Sequence, residues 1–216
     1  MNTLVKRSNS WSVRTSYLNK IANRQIRVYF CWYQIIFISL DKMIRECKES
    51  DFNTIFEIIN DAAKAYKGII PQDRWHEPYM SLAELSAQIE DGIVFWGLER
   101  DGQLLGVMGS QDKGDVTLIR HAYVLSGAQK SGIGKKLLRH LQSMTDKPIL
   151  IGTWAAASWA VSFYQKNGYI LVSAEEKNRL LRRYWSIPER QVETSVVLTN
   201  QTWHEAESED STEDDR

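Results

Sequence analysis

Cysteine is nearly absent from this chain: two residues in 216, Cys31 and Cys47, cannot build a disulfide framework. That count fits a reducing compartment, and a cytoplasmic protein is the expectation. Net charge is absent too, with 27 Lys and Arg against 27 Asp and Glu. A general nucleic-acid surface needs a clustered basic excess in the folded part. Residues 43 to 203 instead balance at 19 of each sign, so no nucleic-acid partner is expected. Long apolar runs are also missing. Val28 to Leu40 is mostly apolar and rich in aromatics, but it falls short of the roughly 20 residues of a membrane helix and is broken by Gln34. No membrane association is expected for the domain. What is present is an apolar share of 43%, enough for one domain with a sizeable core.

The balanced total hides two biased ends. Residues 1 to 42 carry seven Lys or Arg against one Asp, and residues 204 to 216 carry seven acids against one Arg. The basic, acid-poor start has the composition of an organelle transit peptide and lacks the small-residue cleavage pattern of a secretory signal. The favoured reading is an upstream extension over residues 1 to 42, with Met43-Ile44-Arg45-Glu46 opening the domain. The domain then runs from 43 to 200, and the acidic tail from 201 to 216 is expected to be disordered.

Inside the domain, Gln129-Lys130-Ser131-Gly132-Ile133-Gly134 follows an apolar strand-like run and opens an amphipathic helix. The first N–H groups of a helix have no intrahelical partner and carry the positive end of its dipole, so this loop is a phosphate cradle. Two familiar cradles are excluded by what is missing. Gly127 and Gly132 have Walker spacing, but Ile133 and Gly134 stand where a Lys and a Ser or Thr would hold phosphate and magnesium. The Rossmann pattern fails at its third glycine, replaced by Leu137, and no acidic residue follows about 20 positions on.

The loop fits a Gln/Arg-x-x-Gly-x-Gly/Ala pattern, and here the sequence resembles the GNAT superfamily of N-acetyltransferases. His121-Ala122-Tyr123-Val124 is similar to the end of that family's fourth strand. Ala160-Val161-Ser162-Phe163-Tyr164-Gln165-Lys166-Asn167-Gly168-Tyr169 is similar to its second signature, a helix-to-strand passage. The resemblance spans about residues 43 to 200. It implies an α/β fold in which helices flank a central mixed, mostly antiparallel sheet with splayed fourth and fifth strands. It also implies acetyl-CoA as co-substrate and no metal. On this likeness the backbones of Ala122, Tyr123 and Val124 meet the pantetheine and acetyl groups, while Gln129, Lys130, Ser131, Gly132, Ile133, Gly134 and Lys135 hold the diphosphate.

Periodicity and punctuation predict the same order of elements. Ile44 to Cys47 is a short strand. A helix capped by Ser50 or Asp51 puts Phe52, Ile55, Phe56, Ile59, Ala63 and Tyr66 on one face and stops at Gly68. Ser81-Leu82-Ala83-Glu84 has the form of a capping box and opens a second helix ending near Asp91-Gly92. Strands follow over Ile93 to Glu99, Gln103 to Gln111 and Val116 to Val124, the first two joined by the turn Arg100-Asp101-Gly102. The helix after the loop aligns Ile133, Leu137, Leu138, Leu141 and Met144. Then come a strand from Ile149 to Trp154, a helix from Ala156 to Asn167, a strand from Tyr169 to Val172, and a helix from Glu175 to Trp185. Pro188 breaks that helix, and a last strand runs from Thr194 to Leu198.

In proteins of matching motif, the tyrosine at Tyr164 stands near the coenzyme A sulfur, where a phenol donates to the departing thiolate. Packing is the competing role, since Trp159, Ala160, Phe163 and Tyr164 share an apolar face. The polar residue that often stands six positions before Phe163 is here Ala157. A base is also missing from its usual place: Arg120 and His121 occupy the fourth-strand positions where many relatives carry a carboxylate. An amine of pKa about 10.4 needs roughly 4.6 kcal/mol to be neutral at pH 7. An imidazole is a credible base for it, directly or through water, if His121 faces the gap rather than solvent. Strict alternation allows only one of Arg120 and His121 on a given face.

The acceptor walls implied by this architecture carry Tyr66, Trp75, His76 and Tyr79 on one side and Tyr184 and Trp185 on the other, with Asp73, Glu77 and Glu84 nearby. The function implied is acetyl transfer from acetyl-CoA to a primary amine, by direct attack in a ternary complex. The acceptor is a small molecule or a peptide or protein amine, and a homodimer stays open. The alternative is a non-catalytic acyl-CoA-binding or regulatory module that has lost its base.

Overall fold

The computed structural model describes residues 43–200 and Trp203; the N-terminal extension and, Trp203 apart, the acidic tail lie outside the described residues. The first strand is β1 (Met43–Glu46). Asp51 stands at the N-cap of α1 (Phe52–Ala63), which buries Ile55, Ile58, Ile59, Ala62 and Ala63 at spacings of three and four. The chain tightens into a 3-10 turn over Lys64–Tyr66 before Gly68, at φ +76°, turns it away. In α2 (Leu82–Glu90) the capping box is complete: Glu84 N–H donates to Ser81 Oγ at 3.1 Å, and Ser81 N–H donates to Glu84 Oε2 at 2.7 Å.

β2 (Val94–Arg100) and β3 (Gln103–Asp112) form a hairpin whose turn residues, Asp101 and Gly102, have φ +51° and +75°. Positive φ at both central positions matches the right-handed twist of the strands. β4 (Thr117–Val124) pairs antiparallel with β3. α3 (Ile133–Gln142) buries Ile133, Leu137, Leu138 and Leu141, each Leu contributing about 1.5–3 kcal/mol of apolar transfer. Met144 departs from the predicted stripe: the helix stops before it, and it is 51% exposed.

The remaining elements are β5 (Ile149–Trp154), α4 (Ser158–Gln165), β6 (Ile170–Leu171), α5 (Ala174–Tyr184), α6 (Glu189–Thr194) and β7 (Ser195–Thr199). α6 was not predicted. Pro188, expected only to break a helix, also starts one: it sits at the N-cap, and its carbonyl accepts from Gln191 and Val192 N–H. A proline costs nothing there, because a helix start leaves N–H groups unpaired anyway. Buried Lys177 donates from Nζ to the Val192 carbonyl at 2.8 Å and locks α5 to α6.

The seven strands form one sheet in the order β1-β2-β3-β4-β5-β7-β6. β4 and β5 pair in parallel, while β2–β3, β3–β4, β5–β7 and β6–β7 are antiparallel. The mixed, mostly antiparallel α/β fold therefore stands as expected. On one face α1 and α2 cover the first strands through Ile55, Ile59, Leu85, Phe95 and Val107. On the same face α5 covers β4, β5 and β7 through Leu118, Leu150, Leu180 and Val197. α3 and α4 close the opposite face over Met108, Ile119 and Ile151.

Candidate active site

β4 and β5 pair only at Thr117 with Ile149, Leu118 with Leu150 and Ile119 with Ile151. Beyond those pairs β4 stays with β3 and β5 stays with β7, so the two strands splay. A cavity of about 830 Å³ occupies the gap, lined from β4 by Ala122, Tyr123 and Val124 and from β5 by Gly152, Thr153 and Trp154. Backbone edges that face a gap keep free hydrogen-bonding groups, so an extended ligand arm can be held there like an added strand.

One mouth of the cavity lies at the start of α3, where backbone N–H groups have no intrahelical partner. Gly132 is the N-cap of α3 at φ +81°, and no side chain caps the helix. A residue with a Cβ adopts that left-handed angle at a cost of about 1–2 kcal/mol. Gln129, Lys130, Gly132, Ile133, Gly134 and Lys135 all line the cavity. Ser131 does not; its hydroxyl turns back to the Ala128 carbonyl. Gln129 donates to the Val124 carbonyl at 3.2 Å and Asp61 of α1 accepts from Ser126 N–H at 2.7 Å, tying the loop to β4 and α1. That backbone N–H holds the Asp61 carboxyl below its usual pKa. Gly134 packs beside the Phe163 ring, which a Cβ there would meet at 3.4 Å, an ordinary van der Waals contact.

Gly132→Ala is expected to destabilise the protein by about 1–2 kcal/mol through backbone strain alone, because nothing lies within 4 Å of the added Cβ. Gly127→Ala, equally open and without positive φ, is expected to stay within about 0.5 kcal/mol of the parent. Parallel urea denaturation of the two variants checks the contrast.

Tyr164 lies in the gap, only 6% exposed, with its ring edge-on to Phe163 at 5.0 Å and Tyr169 at 6.1 Å. Burial pushes its phenol well above the ordinary value, so it remains protonated. Ala157, where a polar residue was noted as missing, is fully buried beside Ile70 and Trp154.

Strict alternation predicts opposite faces for Arg120 and His121, and the fold overturns this. Val107 pairs with Tyr123 but Gly109 with Arg120, so β4 carries one extra residue, and His121 sits there at φ +51°. Such a bulge breaks the two-residue repeat. Both side chains consequently lie on the α1/α2 face. Arg120 donates to Gln111 Oε1 at 3.0 Å, while His121 stacks on Phe95 at 5.9 Å with Nε2 3.2 Å from Gln88 Oε1. Burial, reinforced by the Arg120 charge, lowers the His121 pKa to about 3. His121 lines the cavity as a neutral imidazole.

The aromatic residues divide. Tyr66, Tyr79 and Trp185 line the cavity; Trp75 stacks behind Tyr79 at 5.7 Å, outside it. His76 faces Glu84 at 3.9 Å, and Tyr184 is drawn away by a 2.6 Å hydrogen bond to Asp115. Asp73, Glu77 and Glu84 are absent from the lining. Trp154 and Trp159 join it unforeseen: Trp154 Nε1 donates to Tyr79 Oη at 3.0 Å, and Trp159 stacks on Tyr66 at 5.7 Å. Spacing had put Trp159 on a buried helix face, yet it is 44% exposed. Among the described residues there is no cluster of His, Cys, Asp and Glu fit to hold a metal, and no helix long and apolar enough to cross a membrane.

A sheet opened between two parallel strands, with an uncapped helix start at one mouth of the cavity, defines an α/β domain with its candidate site in the splay. The sequence model of the acetyltransferase (GNAT) domain matches residues 59–182, and the chain belongs to that family. Among solved structures, the PaiA N-acetyltransferase of Thermoplasma acidophilum in complex with coenzyme A is similar, with TM-score 0.57 at 20% identity over 74% of this chain and 98% of that one. A GNAT-family acetyltransferase of Staphylococcus aureus gives TM-score 0.54 at 19% identity over 74% and 99%. At those identities the likeness concerns the fold. No curated protein matches the chain.

Proposed function

We propose that the protein transfers an acetyl group from acetyl-CoA to a primary amine by direct attack in a ternary complex. The observation that carries this reading is the coincidence of three features in one cavity: the splayed β4 and β5 edges, the uncapped α3 start, and Tyr164 in the lining. Coenzyme A bound by the similar Thermoplasma acidophilum protein supports the donor.

When bound, acetyl-CoA supplies the activated acyl group. The chain's residues do the rest. Backbone N–H groups of Gly132 to Lys135 receive the diphosphate at the positive end of α3, with Lys130 and Lys135 adding charge. The β4 edge from Ala122 to Val124 holds the arm and supplies N–H groups where negative charge develops. Tyr164 donates a hydrogen bond to the leaving sulfur. His121, neutral and half-buried, orients water that carries the amine's proton away. Its depressed pKa suits a relay better than a proton store.

Titration calorimetry with acetyl-CoA, followed by a thiol-release assay over a panel of primary amines, tests the proposal. Micromolar binding with amine-dependent thiol release is expected. Binding with no release across the panel would instead favour a non-catalytic acyl-CoA-binding module, a reading that the lack of a carboxylate in the described lining keeps in play.

A further inference from the structure

We infer that the acceptor carries its primary amine on an aromatic ring system, as an arylalkylamine does, and bears no second cation. This rests on the acetyl-transfer reading and specifies its acceptor. The acceptor side of the gap is walled by rings centred on Tyr66, which lies 5.6 Å from Tyr79, 6.4 Å from Tyr123 edge-on, and 5.7 Å from Trp159 at an interplanar angle of 30°. These residues come from the chain after α1, the segment before α2, β4 and α4, so the box exists only in the folded chain. Trp159 is 44% exposed, which leaves part of the box open to solvent. These rings pack on one another and together present an aromatic wall to the cavity, against which a flat aromatic body stacks offset or edge-on.

Charge narrows the class further. Among the described residues no Asp or Glu lines the cavity, and its charged side chains are Arg120, Lys130, Lys135 and Lys166. The nearby acids are engaged outside: Glu77 with Lys67 at 2.7 Å, Asp73 with Arg74 at 3.4 Å and Glu84 with His76 at 3.9 Å. A diamine or polyamine would bring a distal ammonium into a site without a counter-charge, which is unfavourable unless the ion is paired. Aromatic faces attract the one ammonium that is to react, and they favour its neutral form once it is desolvated.

The test compares kcat/KM for phenethylamine, n-butylamine, spermidine and a lysine-containing peptide, using the full-length protein and acetyl-CoA. Phenethylamine, with kcat/KM referred to the concentration of neutral amine so that its lower basicity is removed, is expected to exceed n-butylamine by tenfold or more, and to exceed spermidine by a larger margin. Trp159→Ala is expected to shrink the phenethylamine to n-butylamine ratio at least fivefold, and Trp159→Phe to restore most of it. A preference for spermidine or the peptide, or a ratio unchanged by Trp159→Ala, would overturn the inference while leaving acetyl transfer intact. Acetyl-CoA binding without thiol release from any amine would fell the transfer reading and the inference together.

Discussion

Tyr164→Phe is expected to lower kcat by about a hundredfold or more, the scale of a general acid's contribution, with acetyl-CoA affinity changed less than about twofold. The substitution removes one oxygen and keeps the ring, so contacts with Phe163 and Tyr169 persist and the fold is unaffected. Burial raises the phenol pKa, which guarantees a proton at every physiological pH. The same shift makes full transfer to a thiolate of ordinary pKa about 8.5 uphill. In the proposed mechanism Tyr164 therefore serves as a hydrogen-bond donor to the departing thiolate and keeps its proton. Single-turnover thiol release, with calorimetric Kd measured alongside, separates loss of chemistry from loss of binding. An undiminished single-turnover rate would remove Tyr164 from the mechanism.

The second large effect is on pH. The logarithm of kcat/KM is expected to rise by about one per pH unit from pH 6 up to the acceptor's own amine pKa, roughly a thousandfold over three units. The reason lies in what the cavity cannot do. His121, enclosed by Phe95, Gln88 and Arg120, has a pKa lowered to about 3, so it is neutral across that range. Tyr66 is raised to about 12, Tyr79, Tyr123 and Tyr164 also lie above their ordinary value, and burial is the main cause in each. All four keep their protons. The acceptor then enters as the small neutral fraction of an amine, and that fraction grows tenfold per unit. Replacing one acceptor by a less basic analogue should move the plateau to lower pH by the difference in their pKa values. An inflection near pH 6.5 that ignored the acceptor would instead mark an enzyme histidine as the base.

The lowered His121 pKa bears on stability too. The native state holds the imidazole neutral to about pH 3, whereas the unfolded chain protonates it near 6.5. This group therefore destabilises the fold progressively as pH falls below 6.5, and contributes nothing above it.

Local signals carried most of the fold. α1 and α3 were readable because each bury their residues at helical spacing, and α2 because a capping box is a four-residue code. The turn at Asp101-Gly102 is likewise a local steric choice. The loop before α3 was legible for the same reason, as a strand-to-helix turn that opens an amphipathic helix. The reading failed where two segments decide together. Met144 continued a stripe on paper, but the helix had already ended. Pro188 read as a stop, and became a start because Val192 finds a buried place against α5.

The candidate site divides in the same way. Sequence alone determined the loop, its glycines and the Phe163-Tyr164 pair, since these depend on order along one helix and one turn. Only the tertiary structure decided that Arg120 and His121 share a face, because a bulge is a mismatch between β4 and β3 and neither strand encodes it alone. Only the tertiary structure brought Tyr66, Tyr79, Tyr123, Trp154 and Trp159 around one cavity and left the acids outside it. Spacing within a helix or turn is set by backbone geometry, whereas neighbours across a splayed sheet are set by register and packing between distant segments.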